Sequence, residues 1–423
     1  MGRTIVEKIL AERTGRTDLK PGDCVMAEVD LAVGTDITAP MAIQEFISAG
    51  QHEVHDPSRI ALVPDHYSPA QERFDTGSCQ SMREFAAEHE IENFFDIGRI
   101  GIAHNLLIER GLVLPGDVVI GADPHTCAYG AMGALGTGVG SSDLAGAMLT
   151  GRCWFHISDT IRIILRGELQ PWVTAKDLGL FLMQQLGVGG ARYCVIEFHG
   201  EAIESLNQED RFTLCNMAVE VGVKAAIIPP DKKTREYLAK KGGRKPKFYK
   251  SDKSANYIAT LEYDATRIKP MVACLNTRAN VRELEEAGKP YIDQVFIGSC
   301  SNGWLDDLRT ASEVLELSGR KISSHTRMIV VPATPEIYRR ALHEDILQVF
   351  ADAGAAISTP SYGPGFGGLL GILGQRERCV STSSHYIAGY SENYHPEAEI
   401  FVSNPAVAAA SAVLGHLGSP EEI

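Results

Sequence analysis

The sequence predicts an α/β protein with two or three domains, built from mostly parallel sheets flanked by helices. Short apolar runs at residues 118–121, 161–165 and 294–298 have the length and composition of strands. Longer segments at 307–317 and 335–350 have helical periodicity, and the second begins with a Thr-Pro pair typical of a helix start. Strands that alternate with helices favour layered α/β architecture.

Chain length and local composition predict where the domains divide. The 423 residues exceed what one hydrophobic core normally serves, so more than one domain is expected. A polar stretch at 232–254 and a turn at 285–290 interrupt the alternating pattern. We therefore expect three domains, at residues 1–166, 167–290 and 291–423.

The overall charge excludes some classes of function. A net charge of −14 argues against a nucleic-acid surface, so an anionic substrate would need a local positive site. The sequence contains no apolar run long enough to cross a bilayer and no recognisable signal peptide, so we expect a cytoplasmic protein that does not bind membranes. Nine cysteines, no two closer than 21 positions, indicate reduced thiols rather than a local metal knuckle.

Polar side chains follow several of the apolar runs, where α/β enzymes place their chemistry. Asp65 and His66 follow one run, His104 lies in a second such turn, and Asp123 and His125 follow a third. An aspartate beside a histidine orients the imidazole and raises its basicity. A single pair of this kind is more often structural, but three histidine-bearing turns within the first 130 residues favour one shared acid–base site.

Four ordered blocks resemble the aconitase superfamily, in particular the large subunits of isopropylmalate and homoaconitate isomerases. They are Gly-Ala-Asp-Pro-His-Thr-Cys-Ala-Tyr-Gly at 121–130, Leu-Cys-Asn-Met-Ala-Val-Glu at 214–220, Phe-Ile-Gly-Ser-Cys-Ser-Asn-Gly at 296–303 and Cys-Val-Ser-Thr-Ser at 379–383. The resemblance runs essentially end to end. It implies a three-domain aconitase-like large subunit that acts as a lyase or isomerase on a small organic acid.

The resemblance also implies roles for the acid–base residues. Asp65 and His66 match a dyad that assists a catalytic serine, and His104 matches the histidine that protonates the departing hydroxyl. Two further pairs match positions near the family's cluster and its water: Asp123 with His125, and Asn216 with Glu220. Because Asn216 and Glu220 are four residues apart, we expect them on one face of a helix.

The cluster ligands depart from the family pattern. Cys300 matches the first of three cysteines that hold a [4Fe-4S] cluster, but Tyr362 and Gly365 stand where the other two are expected. One thiolate cannot hold a four-iron cluster that uses three in this family. The sequence therefore argues against a [4Fe-4S] cofactor.

The substrate-binding positions differ as well. The family's two carboxylate-binding arginines are replaced by His385 and Tyr390, so we expect a substrate other than isopropylmalate or citrate. The expected substrate-binding set is Thr35, Asn216, Tyr362, Ser384, His385 and Tyr390. The chain has no Gly-Ser-Ser-Arg motif, so the catalytic serine is expected on a small, swivelling partner subunit.

Three hypotheses remain open from the sequence. The first is an active enzyme with a mononuclear iron or zinc ion, held by Cys300 together with His104, His125, Asp123 and Glu220. The second is a metal-free lyase or isomerase that uses acid–base chemistry alone. The third is a non-catalytic paralogue that binds or regulates a partner.

Overall fold

The structure is a computed structural model, and it describes residues 2–50, 52–70, 73–239, 241, 244–274, 280–365, 367, 369–384 and 395–423. The strands are β1 (Cys24–Glu28), β2 (Leu31–Thr35), β3 (Ile60–Val63), β4 (Val118–Gly121), β5 (Leu135–Gly138), β6 (Arg152–His156), β7 (Thr160–Arg166), β8 (Val195–His199), β9 (Ala225–Ile227), β10 (Ala259–Asp264), β11 (Met271–Cys274), β12 (Val281–Glu283), β13 (Gln294–Ile297), β14 (Arg327–Val330), β15 (Ala356–Ile357), β16 (Arg378–Ser381) and β17 (Glu399–Val402). The helices are α1 (Ile5–Thr14), α2 (Ala39–Ser48), α3 (Arg73–Glu88), α4 (Ala103–Glu109), α5 (Ser141–Thr150), α6 (Ala175–Leu186), α7 (Glu201–Ser205), α8 (Gln208–Met217), α9 (Lys232–Ala239), α10 (Ser299–Asn302), α11 (Leu305–Ser318), α12 (Pro335–His343), α13 (Ile346–Ala353) and α14 (Pro405–Leu414).

The chain divides into two units, and the first contains Met1–Ile97, Leu106–Glu168 and Gly189–Asp264. Its first sheet has the order β3-β2-β4-β5, with every neighbouring pair parallel. All residues of β3 and β4 are buried, as expected for parallel strands covered on both faces. The hydrophobic core of this unit packs on that sheet, with Leu62, Val118 and Ile120 among its buried members.

The same unit has a second parallel sheet, in the order β10-β7-β8-β9. In β7 and β10, buried or half-buried residues alternate with more exposed ones, so one face of these two strands is less buried than the other face. The pattern is typical of a sheet with one face against the core and the other toward solvent. A separate two-stranded antiparallel ribbon is formed by β1 and β6.

The second unit contains Gly98–Asn105, Leu169–Val188 and Ala265–Ile423. Its sheet has the order β12-β11-β17-β16-β13-β14-β15, parallel from β17 to β15 and antiparallel at the β12 edge. Buried Asp177 on α6 connects three segments of this unit by hydrogen bonds. Its carboxylate accepts from the backbone N–H of Met271 at 2.8 Å and from Nδ2 of Asn404 at 2.8 Å.

The predicted α/β class, with mostly parallel sheets flanked by helices, is confirmed. The strands predicted at 118–121, 161–165 and 294–298 correspond to β4, β7 and β13. The single helix predicted at 335–350 is wrong, because Asp345 takes a left-handed backbone conformation (φ 57°) that ends α12 and precedes α13. Aspartate is one of the residues that adopts this conformation most readily.

The division into three domains at 166 and 290 is distinct from this two-unit division and stays a prediction. None of the helices that the structure describes combines the length and apolar character needed to cross a membrane.

Candidate active site

Three turns lie at the carboxyl edge of the first sheet, and two of them, those of Asp65 and Asp123, were predicted. β2 ends at Thr35 and leads into Asp36, while β3 leads into Asp65 and His66. β4 leads into Asp123 two residues later. Because these strands are parallel neighbours, their carboxyl ends lie at the same edge of the sheet, where α/β proteins bind ligands.

Asp36, Asp65 and His66 form a buried acid–base group. Nδ1 of His66 lies 2.8 Å from Oδ1 of Asp65 and 3.3 Å from Oδ1 of Asp36. The backbone N–H of His66 also donates to Asp36, at 3.1 Å. Burial alone would lower the pKa of His66, but the two carboxylates outweigh it and raise that pKa to about 10. The imidazole is therefore charged at neutral pH.

The same three residues could hold a divalent cation. One ligand atom from each of Asp36, Asp65 and His66 lies within 4.8 Å of the other two. A bound ion would replace the imidazolium proton as the positive charge between the carboxylates. Sequence reasoning missed Asp36. The signal was present, because Asp36 follows a buried strand, and the same kind of position identified Asp65.

Asp123 orients His125. Its Oδ1 accepts from the backbone N–H of His125 at 2.7 Å and lies 3.1 Å from the Nδ1 of that residue. Asp123 thereby caps a 3-10 turn at Pro124–Met132. Pro124 occupies the first position of this turn, where its missing N–H is not needed.

The buried phenol of Tyr129 lies within electrostatic reach of both Asp65 and Asp123. Its ring is fully buried, and its pKa is raised well above the usual value, first by burial and then by the charges of Asp123 and Asp65. Both carboxylates therefore act on one phenol, as expected if the two predicted turns belong to one site.

Asn216 approaches the Asp123 turn from the last turn of α8, and Glu220 follows in the next 3-10 turn. Sγ of Cys127 donates to the carbonyl of Cys215 at 3.3 Å, which places fully buried Asn216 next to that turn. The expectation that one α-helix carries both Asn216 and Glu220 is wrong. α8 ends at Met217, and Glu220 lies in the 3-10 turn at Ala218–Val221 that follows.

Cys300 lies in the second unit, at the carboxyl end of β13. It is fully buried on the short helix α10, directly after Ser299, which has a positive φ of 76°. A non-glycine residue in this region costs about 1–3 kcal/mol, and such strain is frequent at functional sites. Nδ2 of Asn105 donates to the carbonyl of Cys300 at 3.3 Å, so the segment that carries buried His104 adjoins the cysteine.

The residues around Cys300 do not fit a [4Fe-4S] cluster. Tyr362 fills one expected ligand position with a fully buried ring. At Gly365, an added Cβ would lie 3.1 Å from Oγ of Ser383 and 3.2 Å from the Phe296 ring, a tight contact that a shift of a few tenths of an ångström would relieve. The chain therefore offers one of the three thiolates there.

Cys379 does not replace the missing ligands. It pairs with Gln294 at the start of β13, whereas Cys300 follows the end of that strand. The separation along the strand from Gln294 to Ile297 is about 10 Å, at roughly 3.3 Å per residue. Burial also raises the pKa of the Cys379 thiol to about 12, which opposes the thiolate that a cluster requires.

Lys176 is a further residue that sequence reasoning missed. Its side chain is fully buried at the start of α6, and Nζ donates to Oγ of Ser301 at 3.1 Å and to the carbonyl of Thr382 at 2.7 Å. Oγ1 of Thr382 in turn accepts a hydrogen bond from the backbone N–H of Gly298, at 3.0 Å. Lys176 thus holds the loop that contains Cys300 against the loop after β16. Its sequence context, a capped helix start, gave no sign of this role.

The structure assigns the predicted residues to both units. Asp65, His66, Asp123, His125, Asn216 and Glu220 belong to the first unit, and His104, Cys300, Tyr362 and Ser384 to the second. A mononuclear site shared by Cys300, His104, His125, Asp123 and Glu220 stays a prediction. Ser384 is fully buried, while His385 and Tyr390 lie outside the described residues.

Comparisons with known proteins agree on the family. The sequence model of the aconitase family (aconitate hydratase) matches residues 7–290 and 277–415. The chain is 50% identical over 423 residues to the 3-isopropylmalate dehydratase large subunit of Thermodesulfovibrio yellowstonii, covering 100% of both chains. It is 49% identical over 424 residues to 3-isopropylmalate dehydratase large subunit 1 of Pyrococcus furiosus, covering 100% of this chain and 99% of that protein.

A solved structure supports the fold alone. The holo-form of Thermococcus kodakaraensis aconitase X superposes with a TM-score of 0.52 and 13% sequence identity, over 94% of this chain and 97% of that chain. With full-length relatives at about half identity, membership does not depend on that distant likeness. The chain belongs to the aconitase family of hydro-lyases, as a protein of the large-subunit type.

Proposed function

We propose that the chain is the large subunit of a hydro-lyase or isomerase that acts on a small organic acid other than isopropylmalate or citrate, without the family's [4Fe-4S] cluster. The single observation that carries the proposal is the absence of two of the three thiolates, since Tyr362 and Gly365 stand at the expected cysteine positions. Tyr362 is fully buried there, and a Cβ at Gly365 would lie 3.1 Å from Ser383. His385 and Tyr390, in place of two arginines, argue for a changed substrate.

The acid–base groups support a catalytic role. The Asp36–Asp65–His66 group stores a proton on an imidazole whose pKa is raised to about 10. His104 is the residue we assign to protonating the hydroxyl of the substrate as it leaves. A small partner subunit would supply the serine that removes the Cα proton. The products of this step are an enoic acid and water, so no oxidant or reductant is needed.

The electrophile that assists the leaving hydroxide is either a divalent metal ion or the protein's own proton donors. One ligand atom from each of Asp36, Asp65 and His66 lies within 4.8 Å of the other two, so the three residues could bind one metal ion together. A metal-free enzyme would depend on His104 and the imidazolium of His66. Metal content distinguishes these two forms of the proposal.

The test is anaerobic purification of the full chain co-expressed with a small subunit, followed by metal analysis, an optical spectrum and assays on a panel of hydroxy and enoic acids. We expect a colourless protein with at most about one metal per chain and turnover of at least one acid. About four irons per chain with brown absorption would contradict the absence of a cluster. Robust isopropylmalate turnover would contradict the changed substrate, and inactivity of the assembled pair on the whole panel would overturn the catalytic role.

A further inference from the structure

A cavity of about 500 Å³ lies on the second sheet of the first unit. Arg162 on β7 and Glu197 on β8 are register partners, so their side chains leave the sheet on the same face. His199, two residues further along β8, lines the cavity with Arg162, and Ile228 and Pro229 lie just beyond the end of β9. The cavity therefore opens near the carboxyl ends of parallel strands, a frequent location for ligands.

The cavity is positively charged, although the protein carries a net charge of −14. Five cationic residues line it: Arg162, Arg211, Lys232, Lys250 and Lys253. Three acidic residues also line it: Glu204, Asp231 and Asp252. Asp231 binds Arg211 through two hydrogen bonds of 2.8 and 2.6 Å, and Asp252 binds Lys8, which lies outside the cavity lining, at 2.6 Å. Asp231 neutralises Arg211, and Glu236 pairs with Lys232. Arg162, Lys250 and Lys253 are therefore the lining cations left to attract an anion, against the single acidic residue Glu204.

Two guanidinium donors in the cavity wall are unsatisfied. Nε of Arg162 and Nε of Arg211 are buried without a hydrogen-bond partner among the described residues. The Arg211 side chain is only 1% exposed, so bulk solvent does not satisfy its Nε. Buried donors of this kind normally have a partner, and an anion in the cavity would supply acceptors.

The cavity wall is preorganised by a buried carboxylate. Glu197 is fully buried and accepts from Oγ of Ser251 at 2.7 Å and from the Tyr257 hydroxyl at 3.1 Å, while Nε2 of His199 lies 2.8 Å from it. The fixed Tyr257 ring lies under the guanidinium of Arg162, with 4.7 Å from Cζ to the ring centroid. This arrangement holds Arg162 in place before a ligand arrives.

We propose that this cavity binds a small organic anion, with its carboxylate or phosphate at Arg162 and its apolar part against Ile228 and Pro229. None of the residues assigned to catalysis lines this cavity, so it is a second binding site. The inference does not rest on the proposed function.

Calorimetric titration of the full-length chain tests the proposal, with inorganic phosphate and 4-methylpentanoate as separate probes. We expect saturable binding of at least one probe, which also shows whether the site prefers phosphate or carboxylate. Arg162→Met should weaken that binding at least tenfold, because it removes a charged donor. The matched control is Arg166→Met on the same strand, since Arg166 pairs with Glu201 and Glu262 outside the cavity and its loss should leave binding unchanged.

A surface variant keeps the test valid if Arg162→Met does not fold. Lys250 is exposed and lines the cavity, so Lys250→Met should fold normally and weaken binding severalfold. The proposal fails if neither probe binds saturably at millimolar concentration, or if the cavity variants bind as tightly as Arg166→Met.

Discussion

Nζ of Lys176 donates to Oγ of Ser301 at 3.1 Å, one residue after the only family cluster ligand that this chain retains. The second acceptor of Lys176 is the carbonyl of Thr382, at 2.7 Å, in the loop after β16. A buried ammonium costs desolvation energy, and each of these two hydrogen bonds recovers part of that cost. Lys176 is therefore a positioning residue that joins two loops at the carboxyl edge of the second unit's sheet.

Replacement of Lys176 by methionine should destabilise the protein by about 1–3 kcal/mol, because both hydrogen bonds are lost while the apolar stem is kept. The midpoint of urea unfolding measures this change. Without Lys176, the loop that contains Cys300 should open more readily. A thiol reagent should therefore modify Cys300 at a higher rate than in the wild type. Lys232→Met is the control, since Lys232 is 89% exposed and its loss should change stability by less than about 0.5 kcal/mol. Equal effects of the two variants would refute the role of Lys176.

The raised pKa of His66 predicts how stability depends on pH. The folded-state pKa of about 10 lies above the ordinary value of 6.5, so the charged imidazole stabilises the folded state. That contribution is fully present below about pH 6.5 and is lost as pH rises toward 10. Denaturation midpoints of the wild type and His66→Gln, measured across this range, should therefore converge with rising pH. A constant difference between them would show that His66 is neutral when folded.

His104 should be required for turnover but not for folding. Replacement by glutamine removes the proton donor that we assign to the leaving hydroxyl, and such a loss lowers kcat by about 10²–10⁴-fold. The assay uses the acid that the substrate panel identifies, with the small subunit present. His343→Gln on the exposed side of α12 is the matched control and should keep full activity. A His104→Gln enzyme with normal kcat would reassign the proton donor.

Two glycines of the first unit should respond oppositely to alanine. A Cβ at Gly130 would lie 1.6 Å from the carbonyl oxygen of Ala226, which is backbone and cannot turn aside. Gly130→Ala should therefore cost more than about 3 kcal/mol or prevent folding. Gly146 lies within α5 and has no atom within 4 Å of an added Cβ, so Gly146→Ala should stabilise the helix by about 0.5–1 kcal/mol. Thermal unfolding of the two variants distinguishes these outcomes.

The sequence predicted the parts of the fold that depend on local patterns. β4, β7 and β13 were identified because apolar runs of strand length are visible in the chain itself. The α12–α13 break was missed because it depends on one left-handed residue, Asp345, whose conformation no periodicity reveals. Similarly, the helix assumed for Asn216 and Glu220 ends early at Met217, where α8 tightens into a 3-10 turn.

The candidate site was predictable where chemistry follows a strand, and not where it depends on tertiary packing. Asp65, His66 and Asp123 were found because they directly follow apolar runs, and Asp36 fits the same rule. Lys176 and the cavity at Arg162 were not predictable, because lysines and arginines in helices and strands usually face solvent. The contact of Lys176 with Ser301 and that of Arg162 with Tyr257 distinguish these two residues from ordinary surface cations, and only the structure reveals them.

Restoring the missing thiols tests the cluster hypothesis most directly. We expect that Tyr362→Cys combined with Gly365→Cys allows a brown cluster of about four irons to form after anaerobic reconstitution with iron and sulfide. The new Cβ at 365 would lie 3.1 Å from Oγ of Ser383, so adding Ser383→Ala should raise the yield of cluster. Tyr362→Cys alone offers two thiolates with Cys300 and is the control that should stay colourless. If the wild type itself takes up about four irons under the same conditions, Tyr362 and Gly365 do not prevent cluster binding and the cluster-free proposal fails.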